Sequence, residues 1–225
     1  MVTFARPTLT AHLLDLVERR TPAQRDWLRG VAAADPRALE AAFIDSTRRV
    51  GAAALSLDAD EHAVLRGVGV DWPLDAWAVD DVARAAWLIL ASGSAGGDAL
   101  VDRRWRTGDT RQRTALLRAL PVIPEPTRWL RLAIGARHGA VRAVFEALAC
   151  DNPYPATYFH DVHFEDMVLA ALDAGLPLGR IVGLGRRVTT RLSTTAVRFA
   201  AALRASGRRP PADLCRLTEQ RGSAA

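Results

Sequence analysis

The sequence predicts an all-α protein, and three observations support that prediction. Ala, Leu and Arg dominate the composition while the strand formers Tyr and Ile are sparse. Apolar residues recur at helical spacing, most regularly at Val141, Val144, Phe145, Leu148 and Ala149, which fall on one helix face. Prolines, glycines and N-cap residues separate such segments at short intervals, as expected for helices joined by turns.

The N-terminal part is predicted to begin with three helices. The first covers 8–20, where leucines recur on one face. Thr21 is placed as the N-cap of the second, with Pro22 at the first helical position. Asp35-Pro36 opens the third in the same way.

The middle of the chain is predicted to contain one loop and one central helix. Residues 56–73 include Gly67, Gly69 and Pro73, which favour a helix end and a loop. A long helix over 74–91 follows, and because its second half is apolar nearly all round we expect it to be central.

Six further helices are predicted towards the C-terminus. Asp109, with Gln112 three residues later, is the expected cap of the second of them. Asn152-Pro153 is expected to separate the fourth from the fifth, since proline cannot continue a helix. The six segments are 100–106, 109–120, 127–137, 140–150, 161–174 and 189–206.

About ten helices joined by short turns leave few architectures. We expect antiparallel helical hairpins stacked as an irregular α-solenoid of the HEAT kind, with an irregular helical bundle as the alternative. The domain prediction is one helical domain over 1–225, with an N-terminal part over 1–73, a core over 74–215 and a disordered tail over 216–225.

Charge and cysteine content restrict the class of protein. All 30 basic residues are arginine, and they are spread along the chain, so the net charge of +5 favours a solvated basic surface over a track for nucleic acid. Cys150 and Cys215 cannot form a disulfide framework, and the sequence has neither a leader nor a stretch long enough to cross a bilayer. A cytoplasmic protein is therefore expected.

No strong catalytic motif occurs: there is no phosphate loop, dinucleotide-binding glycine pattern or paired-cysteine zinc motif. His160 and His163 have a spacing that would suit a metal, but a third ligand is not evident, so no metal or other cofactor is predicted.

Three groups of residues are the candidates for binding. His138, Arg142 and Glu146 form a polar row that is either a solvated ion-pair row or the lining of a groove. Arg106 and Arg113 flank a helix start at Asp109, and such a cluster either binds an anion or only caps the helix. The third group is a loop, which either holds a site or closes the core: Asn152, Tyr154, Tyr158 and Phe159.

The C-terminal half resembles the EboA-domain family of bacterial metabolite-traffic proteins. The resemblance is carried by 144–147, the Asn-Pro-Tyr-Pro-Ala run at 152–156, Tyr158-Phe159, 167–171 and 181–184, and it covers about 105–214. It implies a component of a gene cluster that makes or exports a small polar metabolite, with cyclitol-derived and lipid-linked compounds as candidates. It implies no reaction.

The leading hypothesis is therefore a non-catalytic helical protein. It would bind a small anionic or polyhydroxylated metabolite, or a protein of the same gene cluster, in a groove lined by the predicted ligand-binding residues. These are Arg106, Asp109, Arg113, His138, Glu146, Asn152, Tyr154 and Tyr158. One alternative is an isomerase or transferase that uses Glu146 with His138 or His163 for proton transfer. The other is a basic helical-repeat protein that binds nucleic acid.

Overall fold

The computed structural model describes residues 6–33, 35–92, 95–137, 141–214 and 217. In this part of the chain the regular structure is helical, and an isolated antiparallel bridge joins Ala54 and Ala78. The prediction of an all-α protein is confirmed. The stacking of hairpins into a solenoid stays a prediction.

The backbone contacts divide the chain into two compact units, Met1–Trp129 and Leu130–Ala225. The single domain expected from the sequence stays a prediction. The tail at 216–225 lies outside the described residues, apart from Leu217.

Unit 1 contains seven α-helices in its described part. They are α1 (Arg6–Arg20), α2 (Arg25–Ala32), α3 (Pro36–Val50), α4 (Ala59–Gly67), α5 (Val79–Ala91), α6 (Ala95–Thr107) and α7 (Thr110–Ala119). Short 3-10 turns at Pro22–Gln24 and Pro126–Trp129 complete the unit.

Helix α5 is the centre of unit 1, as its apolar second half predicted. It packs against α1, α3, α6 and α7. Trp87 is completely buried and meets Trp27 edge-on, with 5.9 Å between the ring centroids. Burial on every side explains why the sequence of this helix shows no polar stripe.

The start of α5 was predicted five residues too early. Residues 74–78 form a separate turn, in which the Trp77 amide donates to the Leu74 carbonyl. Backbone hydrogen bonds then join this turn to the segment between α3 and α4. The Leu55 amide donates to the Trp77 carbonyl, and the Val79 amide donates to the Ala53 carbonyl. These pairings hold the chain extended until Val79 begins the helix.

The helix end and loop predicted over 56–73 are found, since α4 ends at Gly67 and a turn follows it, but the start of α4 within this segment was not predicted. Asp58 caps this helix by accepting from the Glu61 amide, and Glu61 accepts in return from the Asp58 amide. Glu61 also accepts two hydrogen bonds from Arg20, at 2.9 and 2.6 Å. The residues of this capping box were visible in the sequence, but the two later glycines were interpreted as a helix end and a loop.

The cap predicted at Thr21 is wrong. The Thr21 hydroxyl donates back to the Val17 carbonyl at 2.7 Å and makes no hydrogen bond to the following turn. The cap predicted at Asp35 is confirmed, since its carboxylate accepts from the amides of Arg37 and Ala38.

Unit 2 contains five α-helices in its described part. They are α8 (Leu130–Ala136), α9 (Arg142–Ala149), α10 (Tyr154–Tyr158), α11 (Asp161–Asp173) and α12 (Thr190–Ala205). The helices predicted over 140–150, 161–174 and 189–206 are found with slightly shorter bounds. The short α10 was not predicted, because two prolines flank its first residue.

Candidate functional site

The loop between α9 and α11 forms a rigid corner, which we call the Asn-Pro-Tyr corner (residues 151–158). Asn152 is buried, with 3% of its surface exposed. Its side-chain amide donates to the Ala147 carbonyl at 2.9 Å, and its oxygen accepts from the Tyr154 amide at 3.0 Å. Asn152 therefore ties the end of α9 to the start of α10, and its polar atoms stabilise the fold.

Arg180 braces the same corner from a later part of unit 2. Its guanidinium donates to Asp151 Oδ2 at 2.8 and 2.6 Å and to Glu146 Oε1 at 2.6 Å. Its carbonyl accepts from the Asp151 amide at 2.8 Å. Hydrogen bonding to Asp151 raises the pKa of Arg180, although partial burial opposes that shift. Sequence reasoning missed Arg180, which lies about thirty residues from its partners.

The backbone of Asp151 adopts a left-handed conformation, with φ at +52°. Such a φ is uncommon for residues other than glycine, although aspartate tolerates it better than most. The bonds to Arg180, from both the side chain and the backbone of Asp151, offset this cost and fix the direction in which the chain leaves α9.

Arg187 closes the other end of the corner. Its guanidinium donates to the carbonyls of Pro155, Ala156 and Phe159 at 3.1, 3.0 and 2.8 Å. It also lies 4.5 Å from the ring centre of Phe164. Gly183 packs closely against Ala156 in the same region, because a Cβ at position 183 would come within 2.7 Å of the Ala156 methyl group.

The two tyrosines differ in accessibility. Tyr154 is fully buried, while Tyr158 is half-buried and lies beside it, with 4.8 Å between the ring centroids. Burial raises the pKa of both phenols. Both therefore stay protonated near neutral pH, and Tyr154 contributes to the core.

The accessible ionic groups of the corner are Glu146 and Arg180, whose side chains are 34% and 35% exposed. The Glu146 carboxylate already accepts from Arg180, and His163 on α11 is half-buried. His138 lies outside the described residues, so its predicted role in binding or proton transfer stays a prediction. Burial raises the pKa of the nearby Cys150 to about 11, which keeps its thiol protonated at neutral pH.

The other predicted binding residues lie in unit 1. Asp109 caps α7 by accepting from the Gln112 amide at 2.8 Å, which confirms the predicted cap. Arg113 donates to the Arg106 carbonyl at 3.0 Å, and its guanidinium lies 5.9 Å from the Trp105 ring centre. The Asp109 carboxylate faces the free amides of the helix start, which works against an anion at that position.

The strongest buried polar network was missed by sequence reasoning. Asp80 and Arg84, one turn apart on α5, are 0% and 1% exposed and lie 2.7 Å apart. Asp80 also accepts from Thr47 at 2.6 Å and from Arg111 at 2.6 Å. Arg84 donates in addition to the Phe43 carbonyl at 2.9 Å. Two opposite charges at helical spacing inside an apolar helix were the available signal.

Burial and hydrogen bonding act in opposite directions on the two buried aspartates. Burial raises the pKa of Asp80, but the hydrogen bonds from Arg111, Thr47 and Arg84 outweigh it, so its pKa lies below the usual value. Burial dominates at Asp81 and raises its pKa, despite an ion pair with Arg118. Every carboxylate oxygen of Asp80 accepts a hydrogen bond, which suits a structural role.

Arginine is used mainly inside each unit. Many arginines pair with carboxylates of their own unit, among them Arg20, Arg103, Arg118, Arg137 and Arg191. Among the described side chains, no group of three His, Cys, Asp or Glu residues is arranged to hold a metal ion. Of the described helices, none combines the length and hydrophobicity that a membrane crossing needs.

The comparisons with known proteins agree with the resemblance seen in the sequence. No curated protein and no solved structure gives a significant match to the chain. The family model described as "Metabolite traffic protein EboA" matches residues 7–219, so the similarity reaches much further towards the N-terminus than the C-terminal motifs indicated. Because this match covers nearly the whole sequence, the chain belongs to the EboA family of metabolite traffic proteins.

Proposed function

We propose that this protein is an accessory component of metabolite traffic that binds a small polar metabolite at the Asn-Pro-Tyr corner. The binding surface would be formed by Glu146, Asp151 and Arg180, which we call the corner surface. The observation that carries the proposal is that Glu146 and Arg180 remain partly exposed beside a loop, carrying Asp151, whose backbone is fixed from both ends.

The chemistry of the corner surface suits a ligand rich in hydroxyl groups. Carboxylate oxygens of Glu146 and Asp151 accept hydrogen bonds from hydroxyls, and the Arg180 guanidinium donates to hydroxyl, carboxylate or phosphate oxygens. Because the backbone is already ordered, little conformational entropy would be lost on binding. Tyr158, which is half-buried beside Tyr154, would supply an aromatic contact at the edge.

Family membership supports a metabolite as the cargo, and the exposed charges of the corner surface favour a polar one. We propose further that the metabolite is cyclitol-derived and lipid-linked and that the protein is cytoplasmic. The proposed arrangement of the hairpins is HEAT-like, and the proposed protein partners are encoded in the same gene cluster. A partner protein that bound to the corner surface would contact the same three side chains.

A thermal-shift screen tests this function. Inositols, other cyclitols and sugar phosphates are added to the wild type, to Arg180→Gln and to the control Arg198→Gln, which changes an exposed arginine on α12. A ligand at a hundred times its Kd stabilises the folded state by about 2.7 kcal/mol. We expect such stabilisation for the wild type and the control, and its loss for Arg180→Gln. An absence of stabilisation by every compound would contradict the proposal.

A further inference from the structure

The end of α12 forms a second candidate binding site, whose lining shares no residue with the corner surface. A groove of about 820 Å³ lies between α12 and the segment 207–214 that follows it. Its size falls within the range of small-molecule pockets in proteins. We call it the basic groove, and its lining includes Val197, Arg204, Arg208 and Arg209.

The walls of the basic groove are held at both ends. At the helix end, Gly207 adopts φ +73°, its amide donates to the Arg204 carbonyl, and the Arg208 amide donates to the Leu203 carbonyl. This pair of bonds is the Schellman arrangement, which fixes the direction of the chain after a helix. At the far end, the Asp213 carboxylate accepts from the Leu178 amide at 2.6 Å.

The charge of the groove has one sign. Three arginines line it, and none of the lining residues in the described part of the chain is a carboxylate. Asp213, the acidic side chain of this segment, is bound to the Leu178 amide. Many arginines elsewhere in the described chain pair with Asp or Glu, whereas Arg204, Arg208 and Arg209 are exposed and close together in sequence. Three neighbouring guanidinium groups, with no carboxylate beside them among the described lining residues, create a field that attracts anions.

The remaining lining is apolar. Val197 and Ala200 lie on the same face of α12 as Arg204, and Pro210 and Pro211 form part of the opposite wall. Val197 is 44% exposed, so it offers apolar surface to a ligand in the groove. A ligand with an anionic group and an apolar body would contact both kinds of surface.

We infer that the basic groove binds an organic anion whose phosphate or carboxylate group contacts Arg204, Arg208 and Arg209, and whose apolar part lies along Val197 and the two prolines. This site goes beyond the proposed function, because it uses none of the residues of the corner surface. The anion is either a free metabolite or a lipid headgroup, since both present the same phosphate chemistry.

Isothermal titration calorimetry with inorganic phosphate and phenyl phosphate tests the inference. The wild type is compared with the triple variant Arg204→Gln, Arg208→Gln, Arg209→Gln. A control triple variant, Arg37→Gln, Arg131→Gln, Arg198→Gln, removes the same charge from exposed positions outside the groove. We expect phenyl phosphate to bind more tightly than phosphate. We also expect the groove variant to weaken phenyl phosphate binding by about tenfold or more, because each lost charge-assisted hydrogen bond removes affinity.

The source of the anion is identified by a second arm. Vesicles of phosphatidylglycerol and of phosphatidylcholine are sedimented with the same three proteins. Binding of phosphatidylglycerol vesicles in addition to phenyl phosphate assigns the groove to lipid headgroups, and binding of phenyl phosphate alone assigns it to a free metabolite. The inference is overturned if the wild type binds neither phosphate compound, or if the groove variant and the control lose affinity equally. Circular dichroism checks that all three proteins are folded.

Discussion

The ion cluster on α5 and the ion cluster at the Asn-Pro-Tyr corner use the same residue types in opposite environments. Asp80 and Arg84 are fully enclosed between α3, α5 and α7, and each charge is satisfied by several hydrogen bonds. Glu146 and Arg180 keep about a third of their side chains exposed, at 34% and 35%. The first cluster is inaccessible to a ligand, whereas the second can exchange an internal bond for one to a ligand.

The two clusters therefore have different roles: the buried one stabilises the fold, and the partly exposed one is available for binding. Charges that are buried and paired cost much to desolvate, and removing one partner leaves the other charge uncompensated. Charges that remain near water contribute little to stability and are free to act in recognition. The clusters should therefore respond to mutation in opposite ways.

The largest effect is expected for Asp80→Ala, which leaves Arg84 charged and buried. Such a loss of one partner costs about 3–5 kcal/mol of unfolding free energy. Urea denaturation measures it, with Asp45→Ala as the control, because Asp45 forms an exposed pair with Arg48. Equal stability of the two variants would show that the α5 network is not structural.

Asn152→Ala is expected to have the next largest effect. It removes the acceptor of the Tyr154 amide and the donor to the Ala147 carbonyl, so two buried backbone groups lose a partner. Each such loss costs about 1–3 kcal/mol. An unfolding free energy of Asn152→Ala equal to that of the wild type would place the corner outside the stabilising core.

Acid should destabilise the protein through Asp80. Its pKa is lower in the folded state than in the unfolded state, so its stabilisation is complete above the unfolded value of about 3.9 and is lost as the pH falls through the folded value. Asp81, whose pKa is raised, acts in the opposite direction and is present in both proteins that are compared. Urea midpoints measured from neutral pH to about pH 3 should fall more steeply for the wild type than for Asp80→Asn. Parallel curves would contradict this assignment.

The smallest effect on stability is expected for Arg180→Gln. Partly exposed ion pairs contribute about 0–1 kcal/mol, and the loss of the bonds to Asp151 and Glu146 should stay near that range. Urea denaturation measures the change. A loss as large as that of Asp80→Ala would mean that the corner cluster, too, is mainly structural.

Local sequence signals predicted the helices well and the polar networks poorly. Asp35 and Asp109 cap their helices as expected, because the cap and its amide partners lie within three residues. Arg180 contacts residues 29 and 34 positions away, and no periodic pattern connects them. Arg187 was missed for the same reason, since its carbonyl partners are brought to it only by the fold.

The sequence predicted the position of the candidate site, but not which of its side chains are exposed. Asn152 and Tyr154 were recognised as special, yet the structure buries both side chains, so they support the surface from beneath. Glu146 is partly exposed, and its partner Arg180 was not foreseen. Which member of a polar cluster meets solvent depends on long-range packing, which the spacing of residues along one helix does not determine.

Native mass spectrometry tests the central claim most directly. The wild type, Arg180→Gln and Arg198→Gln are each isolated from the native cells under gentle conditions, and the mass of any bound small molecule is recorded. The account predicts the same bound metabolite in the wild type and in Arg198→Gln, and its loss from Arg180→Gln. A wild type without any bound small molecule, or a metabolite retained equally by Arg180→Gln, would contradict binding at the corner surface.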